Sequence, residues 1–294
     1  MTCATDRATL VRQARESIER GSKSFAQASK LFDPVTRERA WLLYAWCRHG
    51  DDVTDGQDHG GAMEVVADPL ARLAYVETMT ARALDGEASG HPAFDGLALV
   101  ARECGFPRQY PLDLIAGFRL DAKGWRPQTE ADLIRYCYHV AGVVGRMMAL
   151  VMGVRPDDTA TLDEAEALGL AFQLGNIARD IAEDAAAGRC YLPAQWLAAE
   201  GVAADELMTA SNLPALARIT TRMADMAAIY EAKARVGARK LPFRCRWAVL
   251  AATGIYGDIA RRAAALGVHA WDRRITTSKL AKLGWVIRAF GQAL

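Results

Sequence analysis

The chain has 294 residues, 51% hydrophobic and 24% charged, with 36 Lys and Arg against 35 Asp and Glu for a net charge of +1. That balance supplies a sizeable core and no basic surplus of the kind a nucleic-acid partner would require. The six cysteines, Cys3, Cys47, Cys104, Cys137, Cys190 and Cys245, form no C-x-x-C pair and read as reduced, buried small hydrophobes of a cytoplasmic protein.

Along the chain, the N-terminal stretch carries Asp6, Arg7, Arg12, Arg15 and Glu16, where a signal peptide would need an apolar run. Helix breakers fall at Asp33-Pro34 and near residues 86–92, 105–111, 123–129, 153–158, 188–193, 212–214 and 241–242. Between them apolar residues recur at helical spacing and no β-branched alternation is long enough for a strand, so on the order of ten helices with short connections are expected. The fold class is therefore all-α, read as a single domain over residues 1–294, a helical bundle around a central hydrophobic cavity. The longest apolar run, residues 140–154, is interrupted by Arg146 and is shorter than the ~20 residues of a membrane span. Residues 278–294 are amphipathic, with Leu280, Leu283, Val286 and Phe290 interleaved with Lys279, Lys282 and Arg288. That segment either caps the bundle or touches lipid headgroups.

Two acidic clusters stand out against this apolar background. The first is Asp51-Asp52-x-x-Asp55, with Arg48 one turn earlier; the second is Asn176-x-x-x-Asp180-x-x-x-Asp184. At about 3.6 residues per turn, Asp51 and Asp55 share one helical face, and Asn176, Asp180 and Asp184 form a stripe of oxygen ligands alternating with Leu174, Ile177 and Ile181 on the packed side. Like charges one turn apart cost about 0.2–0.5 kcal/mol, and more when half-buried, so the pattern calls for a counter-ion. Alone, the first cluster reads equally as the solvated last turn of an ordinary helix. The second argues against that, because a solvated face more often mixes Lys with Glu at this spacing. Hard oxygen ligands select Mg²⁺, with Mn²⁺ as a substitute, and Mg²⁺ on few carboxylates leaves positions for water and phosphate. Such an arrangement suits ionisation of a diphosphate ester beside a dry apolar pocket.

Other chemistries lack their residues. There is no G-x-x-x-x-G-K-[ST] loop and no G-x-S-x-G elbow, and His49, His59, His91, His139 and His269 show no i,i+4 pairing, so they read as structural or surface groups. Gly50 and Gly175, beside the acidic ligands, mark either room for a bulky ligand or a close helix contact. Ala141 and Gly145, one turn apart, either pack a neighbouring helix or open a tunnel for a long chain.

With these residues in hand, the chain resembles the squalene/phytoene synthase family, most closely its bacterial phytoene synthases. The resemblance rests on Ser22-Lys23-Ser24-Phe25, on Tyr44-Ala-Trp-Cys-Arg48-x-x-Asp51-Asp52-x-x-Asp55, on residues 136–145, on residues 173–193 with Asn176-x-x-Arg179-Asp180-x-x-x-Asp184 and Gly188-Arg-x-Tyr-Leu-Pro193, and on Tyr256 and Arg273. It implies an isoprenoid-synthase-type fold and a head-to-head condensation of two geranylgeranyl diphosphates through prephytoene diphosphate to phytoene, the first step of carotenoid biosynthesis. By the same resemblance, Asp51, Asp55, Asn176, Asp180 and Asp184 hold Mg²⁺, Asp52 supports them, and the acidic residues are the catalytic set. Gly21, Ser22, Lys23, Ser24, Phe25, Tyr44, Arg48, Ala141, Gly145, Gln173, Arg179, Tyr256 and Arg273 contact substrate or diphosphate. No NADPH is expected, and a mobile flap is expected near residues 121–129, with Trp125 in place of the aromatic usual near Pro127. The alternatives are a C15 condenser making squalene, dehydrosqualene or hydroxysqualene, and a non-catalytic relative acting as a binding or assembly protein. The long hydrocarbon tails of substrate and product place the protein in the cytoplasm with peripheral contact to the inner membrane.

Overall fold

A computed structural model describes residues 6–56 and 68–294, the side chain of Ser24 excepted; Cys3 and His59 lie outside the described residues. No strand occurs among them. The helices are α1 (Arg7–Gly21), α2 (Lys23–Ala28), α3 (Pro34–Asp55), α4 (Pro69–Leu84), α5 (Pro92–Cys104), α6 (Gln109–Ala122), α7 (Glu130–Cys137), α8 (Val143–Val151), α9 (Thr159–Ala186), α10 (Ala194–Ala199), α11 (Leu213–Ala238), α12 (Phe243–Leu266) and α13 (Lys279–Ala293). The described residues form two compact units, one of those up to residue 123 with residues 146–159, the other of residues 124–145 and 160–294.

Local chemistry sets most of the boundaries that the breakers predict. Asp33 caps α3 by accepting from the N–H groups of Val35 and Thr36, and Pro34 fills the first turn, where its missing N–H costs nothing. Gly56 closes the same helix at φ 64°, a left-handed conformation that a side chain would strain. Thr129 and Asp132 form a reciprocal capping box at the start of α7. Two boundaries carried no breaker signal. Ser22 ends α1 and caps α2 through Phe25 N–H, and residues 138–142 widen into one π-helical turn in which Val143 N–H donates to Tyr138 C=O.

In the first unit the core is built on α3. Leu42, Leu43 and Trp46 are about fully buried together with Ile18 of α1, Val76 of α4, and Phe94 and Leu97 of α5. Burying each such side chain is worth roughly 1.5–3 kcal/mol. The indole N–H of Trp46 is not stranded there, because it donates to Thr80 Oγ1 at 3.2 Å. In the second unit α9 plays the same role through Leu162, Leu170, Leu174, Ile177 and Ile181. Its Gly169 touches the π-helical turn so closely that a Cβ would overlap the carbonyl of Ala141, and Gly145 meets the carbonyl of Ala165 in the same way.

The five described cysteines are all free. Burial pushes the Cys47 thiol up to about 12 and that of Cys104 up to about 11, and raises Cys137 and Cys190 as well. These are inert packing groups at neutral pH, as the scattered spacing implies.

The helix contact at Gly169 gives a direct check. Gly169→Ala forces a methyl against backbone that cannot rotate away, and is expected to destabilise the fold by about 1–3 kcal/mol in urea unfolding despite the better helix propensity of Ala. A stability equal to or above wild type would show that the contact is not tight.

Candidate active site

The first acidic cluster occupies the last turn and a half of α3, where the helix dipole makes negative charge unfavourable by roughly 0.3–1 kcal/mol per group. A sequence selected for stability alone would place cations there. The offset within the chain is Arg48, whose Nη1 lies 2.7 Å from Asp51 Oδ2 and 3.6 Å from Asp52 Oδ1. Burial works against the Arg48 charge, but Asp51, Tyr44 and Asp52 outweigh it and its pKa is raised. One turn earlier, Tyr44 stands edge-on to Phe25, with ring centroids 5.7 Å apart, and its hydroxyl fills the space left by the absent side chain of Gly21. Burial raises the Tyr44 pKa, with Arg48 opposing, so the phenol stays protonated. Neither Tyr44 Oη nor Arg48 Nε engages a hydrogen-bond partner of normal geometry. Two buried donors beside carboxylates are the equipment for holding an anion.

Gly21, Ser22, Phe25, Tyr44, Arg48, Asp51 and Asp52 are thus brought together by α1, α2 and α3. Lys23 is exposed in the first turn of α2, Ser24 lies in the same helix, and Asp55 ends α3. Gly50 does not open room for a ligand: a Cβ there would come within 2.8 Å of the Phe118 ring of α6.

The second cluster lies in the C-terminal half of α9, with Asp184 in the last turn. Asn176, Asp180 and Asp184 form a half-buried stripe, and Leu174, Ile177 and Ile181 are buried on the other side, as the spacing predicts. Arg179 grips Asp180 with both arms, Nε to Oδ1 at 2.7 Å and Nη2 to Oδ2 at 2.5 Å, while the two side chains are only 15% and 19% exposed. Burial opposes the Arg179 charge, and the bond to Asp180 outweighs it. Asn176 Nδ2 donates to Gln173 Oε1 at 3.4 Å. Tyr256 packs on Phe172 with centroids 4.5 Å apart, and Gly175 lies against Ala260 of α12 in ordinary contact, again a helix contact and not ligand space. Ala141 and Gly145 realise the packing alternative through Gly169 and Ala165 of α9.

One residue was not singled out by the sequence reading. Arg273 is exposed, whereas Arg274 pairs with Glu183 and reaches to 3.5 Å from Asp180. Adjacent arginines in an irregular segment carry no periodicity that could have separated them. Past α9, Arg189 N–H donates to Asp184 C=O at 2.8 Å, and Arg126 Nη2 to Gly188 C=O at 3.3 Å. Trp125, Tyr136 and Tyr191 stack in succession at 5.8 and 4.8 Å, and Pro127 C=O accepts from Ala194 N–H at 3.0 Å. The part of the expected flap from residue 125 onward is therefore held by rings and backbone bonds.

The oxygen-only donor set fits Mg²⁺. Among the described residues no three His, Cys, Asp or Glu side chains already converge on one point.

Helical throughout its described residues, the chain has an isoprenoid-synthase-type fold. The fold matches a ligand-bound crystal structure of a dehydrosqualene synthase, with a TM-score of 0.86 and 26% identity over 97% of both chains. It also matches squalene synthase HpnC from Alicyclobacillus acidocaldarius, with a TM-score of 0.76 and 25% identity over 89% of this chain and 95% of that one. The sequence model of the squalene/phytoene synthase family matches residues 18–281. Curated relatives include a phytoene synthase of Pseudescherichia vulneris, 47% identical over 97% of this chain and 92% of that protein, and a 15-cis-phytoene synthase of Paracoccus sp. (strain N81106 / MBIC 01143), 48% identical over 94% and 89%. The chain belongs to the squalene/phytoene synthase family and is an enzyme of the prenyltransferase type.

Beside the first cluster, His49 and His91 stack with ring centroids 4.2 Å apart, a pairing across α3 and the start of α5 that sequence spacing could not show. Burial pushes the His49 pKa down to about 4, with His91 adding to it, and burial lowers His91 as well. The unfolded chain therefore takes up a proton near pH 6.5 that the folded protein refuses until about pH 4, so stability falls on acidification through that window. Thermal midpoints measured from pH 7 to 4.5 should drop more steeply in wild type than in His49→Leu, and parallel curves would remove His49 from the account.

Proposed function

We propose that the chain is a phytoene synthase that condenses two geranylgeranyl diphosphates head to head. The observation that carries this reading is identity of 45–48% over at least 94% of the chain to four phytoene synthases, combined with an intact Asn176, Asp180 and Asp184 stripe. In the first half-reaction the C1–O bond of one substrate breaks, its electron pair leaves with diphosphate, and the double bond of the second substrate attacks the allylic cation. Loss of a proton closes the cyclopropane of prephytoene diphosphate. In the second half-reaction the remaining diphosphate leaves, the skeleton rearranges, and a second proton loss gives phytoene. Because proton loss and not hydride addition ends the sequence, no NADPH is required.

The chain's own residues bind and orient the leaving group. Asp51, Asp55, Asn176, Asp180 and Asp184 would hold Mg²⁺, with Asp52 in support and Mn²⁺ as a substitute, and the ion supplies charge neutralisation at the departing oxygens. The Arg48 and Arg179 guanidinium groups match phosphate geometry, and protonated Tyr44 offers a further donor. Arg179 and Arg274 hold the Asp180 carboxylate in place until substrate arrives. The apolar tails of substrate and product support a cytoplasmic protein with peripheral membrane contact; among the described residues no helix is long and apolar enough to cross a bilayer. A C15 condenser is the second reading, favoured by the 0.86 TM-score to a dehydrosqualene synthase but set back by its 26% identity. A non-catalytic relative would have no reason to keep every member of both acidic clusters.

Two measurements test the reading. Incubation with C20 or C15 diphosphates and Mg²⁺, with and without NADPH, should yield phytoene from C20 alone and independently of NADPH; squalene-type hydrocarbons from C15 as the main product would replace it. Asp180→Ala and Asp51→Asn should each fold and lose on the order of 10²–10³ in turnover, the second with a weakened Mg²⁺ dependence. Near-wild-type turnover in Asp180→Ala would remove α9 from the chemistry.

A further inference from the structure

Helix α13 is amphipathic with its apolar stripe turned outward. One face packs on α12: the Trp285 ring covers Gly254, where a Cβ would overlap the indole, Val286 C=O accepts from Trp247 Nε1 at 2.8 Å, and Ala289 and Ala293 are 1% exposed. The opposite face presents Leu280, Leu283, Ile287 and Phe290, exposed by 82%, 56%, 64% and 41%. Their spacing of three, four and three residues puts them in one row along the helix. Phe243 of α12, edge-on to Phe290 at 5.7 Å, widens the row. A helix on a solvated body normally turns such a stripe inward, and a contiguous exposed one marks an interaction surface.

Charge identifies the occupant. Residues 232–294 hold 13 of the 36 Lys and Arg and only two of the 35 Asp and Glu, Asp258 and Asp272, so a chain that is neutral to within one charge has a cation-rich end of the sequence and an acidic remainder. At 100° per residue, Lys279 and Arg288 fall on the two margins of the apolar row, and both are exposed. Arg288 also lies over the Trp285 ring at 5.5 Å, which leaves its charge at the edge of the row. Apolar side chains in the middle, cations on both flanks and no carboxylate on the helix are the pattern of a helix lying in a bilayer surface with its basic residues at headgroup level. A second copy of this chain is a poor occupant, because a twofold contact would set cation-rich helices against each other.

We infer that α13, extended by Phe243, is the face on which the protein docks onto a bilayer bearing anionic lipids. The inference rests on the proposed long-chain prenyl diphosphate substrate for its purpose, delivery of the enzyme to the phase where that substrate dissolves, but not for its physical basis. The helix is 15 residues long and lies on the surface without crossing.

The test is co-sedimentation of the full chain with phosphatidylcholine vesicles and with vesicles containing phosphatidylglycerol. Wild type should pellet with the anionic vesicles, and less so as salt rises. The double variant Leu283→Glu, Ile287→Glu should lose at least about tenfold in partition coefficient, with an unchanged circular dichroism spectrum and unchanged turnover on detergent-dispersed substrate. Lys279→Glu with Arg288→Glu should abolish the preference for anionic lipid. Failure of wild type to pellet, equal pelleting of the Leu283 and Ile287 variant, or a wild-type dimer that this variant dissociates would each overturn the inference. Pelleting is read without substrate, so failure of the proposed activity would leave this result standing and show itself separately in the product assay.

Discussion

Carboxylates stacked one helical turn apart in a half-buried setting repel each other and lose water at the same time, and the arrangement of both acidic segments follows from that cost. Arg48 lies within reach of Asp51 and Asp52, and Arg179 and Arg274 converge on Asp180. Arg48 and Arg179 are themselves partly buried, so their pairs are held by mutual need and not by a large net gain, whereas Arg274 reaches in from an exposed position. A fold under no functional demand would reach the same helices more cheaply with alanines. Under the proposed function that charge has a use, since a departing diphosphate is served by a site that can hold cations and then an anion in succession.

The packing around those segments is correspondingly tight. Gly50 yields to the Phe118 ring, Gly169 to the backbone of the π-helical turn, and Gly21 to the Tyr44 hydroxyl. In each case the absent side chain lets a neighbour come closer than a Cβ would permit, which fixes the helix bearing the polar groups. Preorganised donors act at full strength only if they do not have to be assembled during the reaction. Tyr44 and Arg48, buried against each other beside Asp51, would be donors of that kind under the proposed function.

Elsewhere the chain separates its tasks by position. The family match ends at residue 281, so most of α13 lies beyond it, on the cation-rich end of a sequence whose remaining length is acidic. Part of that charge is met locally, Lys240 by Glu164 and Arg274 by Glu183, while Lys279 and Arg288 leave the exposed row of α13 with a cationic border that the net charge of +1 conceals.

The sequence by itself determined the helical class, most boundaries and the identity of the acidic stripes, because caps, prolines and the 3.6-residue period act over a few residues and are written locally. Asn176, Asp180 and Asp184 appear on one half-buried face for that reason. Only the tertiary structure decided what meets those faces. It showed that Gly50 and Gly175 serve helix contacts, that Arg274 and not its neighbour reaches Asp180, that His49 stacks on His91, and that the apolar row of α13 points to solvent. Each of these depends on residues distant in the chain or on the facing of a whole helix, and a periodic pattern fixes which side chains share a side without fixing where that side points.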